Sequence, residues 1–413
     1  MTSLPPDQLG RGFTRFWWAQ AVSGFGTAIT LLALQTLVVV TLQGDAVEVG
    51  WLNTFRWLPY LALGIVVGAL VDRVRRRPVL VTTDVVRAVL LAVIPLSWAF
   101  GLLSFPLLLV LVVLFGTVSL VNDAASQSFI PRLVPRAQLQ RAHARLDAAD
   151  AVAQTAGPAV AGALIRVVGA PLAVLVDAAS YLFSAVALGT LTITEPAPTA
   201  SRWTARGLVA EMRDGVRWVY GGSGLRLMAV ATQVWFAAQA VLLVVVVPYG
   251  YLQLGLTPFQ LGLVFAVAGV GALVGAASST WVGHRLGTVG AICCAYLASS
   301  VGVVVMLSAA LAAQPWTAAS VLAAGQLCHG WAMGLSNSHE MTFRQARTPD
   351  ALQARTNTTM RSLNRAVVVV VSPVAGLGAD RLGFGALVVC AAVVFASAAL
   401  ILLLSPLRGV RIE

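Results

Sequence analysis

The chain has 413 residues, of which 58% are hydrophobic and only 10% are charged, and its mean hydropathy is +0.85. This composition excludes an ordinary soluble enzyme and a disordered protein, because both classes carry far more charge. Twelve helices of about 20 residues would use about 240 positions, which leaves only short loops and no large soluble domain. The composition therefore predicts an all-α membrane protein that crosses the bilayer many times.

Apolar runs long enough to cross a bilayer, separated by Gly, Pro and charged clusters, predict twelve transmembrane helices. In chain order they cover residues 16–41, 48–70, 79–100, 103–125, 146–166, 170–192, 226–250, 258–282, 289–312, 315–338, 360–379 and 384–405. The first run is too long for the apolar core of a signal peptide, so we expect it to remain in the mature protein.

The net charge of +11 comes from 27 basic residues, all of them arginine, and their distribution indicates topology. Short loops rich in arginine stay on the cytoplasmic side of a membrane. With the N-terminus inside, 23 arginines fall in cytoplasmic segments or at inner helix ends, and only Arg166 and Arg381 fall outside. The sequence therefore predicts that both termini are cytoplasmic, and the basic charge then indicates no nucleic-acid partner.

The longest predicted connection divides the helices into two groups of six. We predict an N-terminal six-helix bundle over 1–193, a cytoplasmic linker over 194–224 and a C-terminal six-helix bundle over 225–413. Within the linker, four apolar residues recur at helical spacing among charged ones, which predicts an amphipathic helix on the inner membrane surface. They are Leu208, Met212, Val216 and Val219. A solvated linker is the alternative.

An offset of 214 residues aligns the two predicted bundles with each other. It matches Pro135 to Pro349 and Gly169 to Gly383, and gives nine identities between residues 116 and 169. About five would arise by chance in so biased a composition, so the pattern suggests a parallel internal repeat.

The run GALVDRVRRR at 68–77, between the second and third predicted helices, is the most specific motif. It resembles the signature loop of the major facilitator superfamily, although Arg75 stands where that family has a second glycine. The resemblance implies a glycine for close helix contact and a charged latch that breaks when the two bundles rock. The implied latch residues are Gly68, Asp72, Arg73, Arg76 and Arg77. A topology signal alone is the alternative interpretation.

The run AGPAVAG at 156–162 resembles the Gly-Pro signature of the exporter branches of the same superfamily, with Ala161 in place of one glycine. Its matching residues are Gly157, Pro158 and Gly162. Proline bends a helix, and small residues let a neighbour approach, as they also do in transmembrane helices generally. The runs RWLP at 56–59, DVVRA at 84–88 and DAASY at 177–181 resemble the branch that includes enterobactin exporters and macrolide-efflux proteins.

Four of the ionisable residues inside predicted helices are candidate site residues, because a charge there is costly. They are Arg56, Asp84, Arg87 and Asp177. Asp84 and Arg87 are three residues apart on one helix face, which predicts a local ion pair. Arg56 and Asp177 each lie about 12 Å from the outer end of a helix, so we hypothesise a shared polar network in which Asp177 exchanges a proton. A structural role for Asp177 is the alternative.

The resemblance further implies a central cavity lined by the first, fourth, seventh and tenth helices. Polar residues form a stripe on the first helix, and the other two candidate helices add amides and aromatic rings. The candidates are Gln20, Ser23, Thr27, Thr30, Gln233, Trp235, Phe236, Gln239, Gln326 and Trp331. Such a cavity suits bulky amphiphilic compounds. Hydrogen bonding between neighbouring helices is the alternative role for each polar residue.

The histidines and cysteines form no metal-ligand spacing, and the sequence lacks a phosphate-binding loop, so we expect no enzyme activity, no metal and no cofactor. The resemblance implies a monomeric secondary transporter of the bacterial cytoplasmic membrane, which exports a drug-like or secondary-metabolite small molecule in exchange for protons. An importer of a nutrient or siderophore with the same fold is the first alternative. A membrane sensor or scaffold without transport activity is the second.

Overall fold

The computed structural model describes residues 9–71, 73–191, 205–221 and 224–407. Across these ranges every regular element is helical, as the composition predicted. Among the described residues, nine helices are long and apolar enough to cross a membrane. The fold is therefore that of an all-α, multi-pass membrane protein.

Six helices form the first half of the chain. They are α1 (Arg11–Thr36), α2 (Ala46–Val71), α3 (Arg76–Ala99), α4 (Phe105–Leu133), α5 (Leu139–Val168) and α6 (Ala170–Gly189). A further helix, α7 (Ala205–Tyr220), lies in the predicted linker. The second half contains α8 (Arg226–Pro248), α9 (Pro258–Ser308), α10 (Pro315–Arg347), α11 (Asp350–Leu382) and α12 (Phe384–Leu403).

Helix α9 covers two of the predicted helices. Gly287 interrupts it with φ 74° and ψ 169°, a conformation outside the helical region. The interruption falls between the predicted spans 258–282 and 289–312, within the GHRLG run at 283–287. The sequence therefore located the break, because glycine adopts positive φ without the steric penalty of a side chain.

Several helices extend beyond their predicted ends. The apolar run predicted an end at 125 for α4 and at 338 for α10, whereas these helices continue to Leu133 and Arg347. Likewise α5 begins at Leu139 and α11 at Asp350, ahead of the predicted 146 and 360. Hydropathy falls at these arginine-rich segments, but Ala, Arg and Gln favour helix, so the backbone continues past the apolar span.

The backbone confirms the 214-residue repeat. The last residues of α4, α5 and α6 lie 214 positions before those of α10, α11 and α12. Gly169 (φ 84°, ψ 161°) directly precedes α6, and Gly383 (φ 82°, ψ 159°) directly precedes α12 with almost the same angles. Pro135 and Pro349 also adopt matching extended conformations.

Contacts between Cα atoms divide the chain into two compact units. The first comprises Met1–Leu37 and Leu58–Trp203, and the second comprises Val38–Trp57 and Thr204–Glu413. Helix α2 thus contributes residues to both. Its first half packs on α11, where the Thr54 hydroxyl donates to the Val369 carbonyl oxygen at 3.1 Å.

Each unit has its own packing core. In the first, Phe13 and Phe16 of α1 are fully buried beside Phe129 of α4. In the second, α9 and α10 cross at small residues, and a Cβ added to Gly275 or Gly334 would collide with the backbone of the other helix. Small residues drive helix association in membranes by this close contact, because apolar burial alone gains nothing in lipid.

We predict that Gly169→Ala and Gly383→Ala each destabilise the fold by about 1–3 kcal/mol, because their backbone angles lie in a region that is essentially restricted to glycine. The midpoint of thermal unfolding in detergent should fall for both variants. Gly24→Ala is the control, since a Cβ there meets no atom within 4 Å. Equal midpoints for all three variants would contradict the prediction.

Candidate functional site

Asp84 of α3 is the centre of a polar network in the first unit. The residue is 1% exposed, and its Oδ1 forms an ion pair with the Arg87 guanidinium one helical turn away. The Asn122 amide of α4 also donates to Oδ1, at 3.0 Å. The Ser184 hydroxyl of α6 donates to Oδ2 at 2.5 Å. The predicted Asp84–Arg87 pair is present, and it joins three helices.

The network continues from Arg87 to α1 through an aromatic ring. The Arg87 guanidinium lies over the ring of Tyr181, 4.0 Å from its centroid, in a cation–π arrangement. The Tyr181 hydroxyl lies 2.7 Å from the Thr27 hydroxyl, and Thr27 also donates to the Ser23 carbonyl oxygen. Thr27 of the predicted polar stripe therefore connects α1 to the charged network through Tyr181, and Ser23 is linked to it through Thr27.

Asp177 lies one turn before Tyr181 on α6 and is fully buried. Its Oδ1 accepts a hydrogen bond from the Ser180 hydroxyl at 3.0 Å. A Cβ on Gly26 of α1 would come within 2.5 Å of the same oxygen, so glycine is required for α1 to approach the carboxyl group. Oδ2 makes no hydrogen bond with a described residue, although the Thr30 hydroxyl is its neighbour.

Arg56 belongs to the second unit. Its guanidinium lies 5.1 Å from the centroid of the Trp57 ring, and the guanidinium of Arg365 lies 5.3 Å from the centroid of the same ring. The structure thus groups Asp84 and Arg87 with Tyr181 and its helix, and groups Arg56 with Trp57. A network shared by Arg56 and Asp177 stays a prediction.

The second unit contains a buried aromatic cluster around Trp235 of α8. His329 of α10 stacks on this indole with 6.1 Å between ring centroids, and Phe395 of α12 packs against both rings. Nε2 of His329 lies 2.8 Å from Oε1 of Gln239. The sequence predicted Trp235 and Gln239 as cavity candidates, and the structure brings both into contact with His329.

Glu340 of α10 is a site residue that the sequence analysis missed. The Tyr296 hydroxyl donates to its Oε1 at 2.9 Å, and the Thr232 hydroxyl donates to its Oε2 at 3.2 Å. Glu340 escaped notice because the predicted helix ended at 338, before this carboxylate. The partners gave no signal either, since single Thr and Tyr residues are ordinary in apolar helices.

Five of the ten predicted cavity residues form a hydrogen bond with a neighbouring helix of their own unit. Gln20 donates to the Ser126 hydroxyl, and Trp331 donates to the Ser278 hydroxyl at 3.1 Å. Gln233 donates to the Tyr220 hydroxyl. Of the remaining candidates, Ser23, Thr30 and Gln326 are buried. The ring of Phe236 meets the ring of Trp235 edge-on. These contacts fit the helix-bonding alternative, and a substrate-lining role stays a prediction.

The predicted latch is described only in part, because Asp72 lies outside the described residues. Arg77 donates to the carbonyl oxygens of Leu188 at 3.0 Å and of Gly189, and so caps the last turn of α6. Arg76 is buried and donates to the Val74 carbonyl oxygen at 3.0 Å, while Arg73 is exposed.

The glycines of the two family motifs differ in their contacts. A Cβ on Gly68 would meet no described atom within 4 Å, so the implied close helix contact stays a prediction there. A Cβ on Gly157 would approach Ala28 of α1 to 2.6 Å, so this glycine does allow two helices to pack closely. Pro158 lies inside α5, and Gly162 is buried.

We predict that Asp84→Asn or Arg87→Gln alone destabilises the protein by about 3–5 kcal/mol, because each leaves a buried charge without its partner. The double variant should cost less than the sum of the single variants. A double-mutant cycle of detergent-induced unfolding measures this coupling. The exposed Asp214–Arg355 pair, at 3.6 Å, is the control and should couple by less than about 1 kcal/mol. Equal coupling in the two pairs would contradict the prediction.

Comparisons with known proteins agree with this architecture. The sequence model of the Major Facilitator Superfamily matches residues 16–366. The multidrug efflux pump Tap of Mycolicibacterium fortuitum is 26% identical over 269 residues, which cover 63% of this chain and 64% of that protein. Macrolide efflux protein A of Streptococcus pyogenes is 24% identical over 54% of this chain and 55% of its own length. The chain thus spans less than two thirds of these relatives.

Solved structures share the fold at lower identity. The nucleoside transporter NupG superposes with a TM-score of 0.74 at 12% identity, covering 96% of this chain and 100% of that chain. A bacterial homologue of the iron transporter ferroportin, in an inward-facing state, superposes with a TM-score of 0.73 at 16% identity, covering 95% and 100%. The family match shows that the chain belongs to the major facilitator superfamily, and the solved structures agree with its multi-pass helical fold.

Proposed function

We propose that this transporter exports a drug-like or secondary-metabolite small molecule in exchange for protons, acting as a monomer in which two six-helix bundles alternate access. Two observations support export. The relatives named as a multidrug efflux pump and a macrolide efflux protein match more than half of the chain. The Gly157-Pro158 motif of the exporter branches lies in α5, where Gly157 allows the helix to pack against α1.

The Asp177 carboxyl group is the observation that carries the coupling proposal. It is fully buried, only one of its oxygens is hydrogen-bonded to a described residue, and it packs directly on the backbone of α1 at Gly26. A small shift of α1 against α6 would therefore change its solvation. An ionised carboxylate in an apolar interior is costly, so such a shift would couple helix movement to uptake and release of a proton.

The proposed topology has twelve spans with both termini in the cytoplasm. Nine helices pass the length and hydropathy test within the described residues, and α9 counts twice because Gly287 breaks its 51 residues into two spans. Helices α2 and α10 add two more, with 26 and 33 residues respectively. Together these make twelve spans, an even number that puts both termini on one side, and the arginines favour the cytoplasmic side.

We infer that the substrate contacts aromatic and amide side chains of α8 and α10. Trp235, Phe236 and Gln239 combine ring surface with a hydrogen-bonding group, and Trp331 adds a second indole. In the described conformation Trp235 is stacked with His329, so these rings would have to separate to admit a ligand. Wide aromatic surfaces with few polar groups favour bulky amphiphiles over ions or sugars.

We predict that everted membrane vesicles containing the protein take up a lipophilic dye only while a proton gradient is present. Asp177→Asn should abolish the gradient-dependent part, because an amide cannot bind and release a proton at this position. Asp150→Asn is the matched control, since Asp150 is an exposed carboxylate on α5. Both variants are compared at equal amounts of protein in the membrane.

Each of the other possible results of this vesicle assay would contradict part of the proposal or support an alternative function. Uptake by the wild type that persists after a protonophore collapses the gradient would exclude proton antiport. Full activity of Asp177→Asn would exclude Asp177 as the proton carrier. Accumulation only in right-side-out vesicles would indicate an importer, and no movement of any tested compound would favour the sensor or scaffold.

A separate prediction concerns topology. Green fluorescent protein fused to either terminus should fluoresce in the intact bacterium, whereas alkaline phosphatase at either terminus should be inactive, because both reporters would lie in the cytoplasm. Alkaline phosphatase inserted after Gly169, in the connection between α5 and α6, should be active and serves as the control for the outer side. Active phosphatase at one terminus would show an odd number of spans.

A further inference from the structure

A groove of about 1000 Å³ lies on the first unit, lined by α1, α5 and α6. Its sides are formed by apolar residues such as Val152 of α5 and Phe183 of α6, which are 60% and 48% exposed. Exposed apolar residues are by themselves ordinary on lipid-facing helices, because lipid tails are as apolar as these side chains. Here they border a continuous concave surface, so the groove can enclose an elongated apolar group.

The groove has the length of one leaflet. On α1 its lining extends from Trp17 to Gly26, a separation of nine helical steps, which is about 14 Å at the helical rise of 1.5 Å per residue. The hydrocarbon core of a bilayer is about 30 Å thick, so one acyl chain occupies about 15 Å of depth. The groove therefore matches a single extended acyl chain.

One end of the groove carries a positive charge and two indoles. Arg145 of α5 lines this end and is exposed, and its carbonyl oxygen accepts a hydrogen bond from Nε1 of Trp17 at 3.0 Å. Trp18, which is 52% exposed, lines the same end. Tryptophan concentrates at the level of lipid headgroups, and arginine binds phosphate with a pair of parallel hydrogen bonds.

We propose that this groove is a binding site for an anionic phospholipid, with one acyl chain along α1 and the headgroup phosphate on Arg145. A lipophilic cation fits less well, because it would meet the like charge of Arg145 at the entrance. Asp147 and Asp150 of α5 are absent from the lining, so no acidic side chain of that helix repels the phosphate. With the topology proposed above, the lipid belongs to the cytoplasmic leaflet.

The far end of the groove adjoins the proposed proton site. Ser180 and Gly26 line that end. The Ser180 hydroxyl donates to Oδ1 of Asp177, and a Cβ on Gly26 would come within 2.5 Å of the same oxygen. A bound acyl chain would therefore press on the side chain and backbone that fix this carboxyl group. A lipid bound in the groove would thus bring one of its acyl chains into contact with the proposed proton site.

The experiment uses the full chain in nanodiscs that contain phosphatidylglycerol or phosphatidylcholine, each with a diazirine in one acyl chain. After irradiation, mass spectrometry maps the labelled peptides. We expect about fivefold more labelling of the peptides that contain Val152 and Phe183 with phosphatidylglycerol, the factor that corresponds to about 1 kcal/mol for one basic residue near an anionic surface. Arg145→Glu should remove this headgroup preference, and Ala149→Phe should reduce labelling by both lipids by filling the groove.

Two variants are matched controls, one just before α5 and one on it. Arg136→Glu makes the same charge change outside the groove, and Ala144→Phe adds the same bulk at an exposed position that does not line it; both should keep the wild-type pattern. Equal labelling by the two lipids, or unchanged labelling in Ala149→Phe, would overturn the proposal. Labelling without headgroup preference that a transported dye displaces would also overturn it, and would assign the groove to substrate. Transport is not the readout, so failure of the proposed function and failure of lipid binding are distinguishable.

Discussion

The cost of burying a charge is the constraint on which the first unit depends. Asp84 and Arg87 are almost completely buried, and each is tolerable there only because the other is present. Their remaining bonding capacity fixes the neighbouring helices: α4 supplies the Asn122 amide, and α6 supplies the Ser184 hydroxyl. In lipid, packing of apolar side chains does not by itself select a partner helix, so such directional contacts help to determine which helices associate.

The two halves share a backbone repeat, but the Asp84–Arg87 ion pair is not repeated in the second half. At the offset of 214, the positions of Asp84 and Arg87 correspond to Ala298 and Val301 in α9. Tyr181 corresponds to Phe395, whose ring packs against Trp235 and His329. The second half therefore fills the equivalent space with apolar and aromatic groups. Matching angles at Gly169 and Gly383 show that the repeat persists in the backbone where the side-chain chemistry has diverged.

Sequence reasoning succeeded where one local signal determines the structure. Apolar runs predicted the helices, Gly287 marked the break inside α9, and the spacing of Asp84 and Arg87 was enough to predict their ion pair. It failed where partners come from distant segments. Nothing near Ser184 indicates that it bonds to Asp84, 100 residues earlier in the chain.

The helix end predicted from hydropathy also excluded one residue of the site, Glu340. The apolar run in α10 ends before Glu340, so this carboxylate was assigned to a connection, whereas the helix continues and brings it to Tyr296 and Thr232. The contacts of Arg77 with α6 were missed for a related reason. Its position in a signature loop suggests a latch, which stays a prediction, and the loop gave no sign that its guanidinium also donates to the Leu188 carbonyl oxygen, 111 residues away in the sequence.

The two buried carboxylates of the first unit have unequal surroundings, and this inequality separates their roles. Asp84 has an arginine and two neutral donors, so its negative charge is compensated without any further ligand. Asp177 has one hydroxyl donor for Oδ1, and Oδ2 makes no hydrogen bond with a described residue. A carboxylate that is already satisfied gains little from a proton, whereas one with an unsatisfied oxygen in an apolar interior gains much. Under the proposed function, the structural role therefore falls to Asp84 and the change of protonation to Asp177.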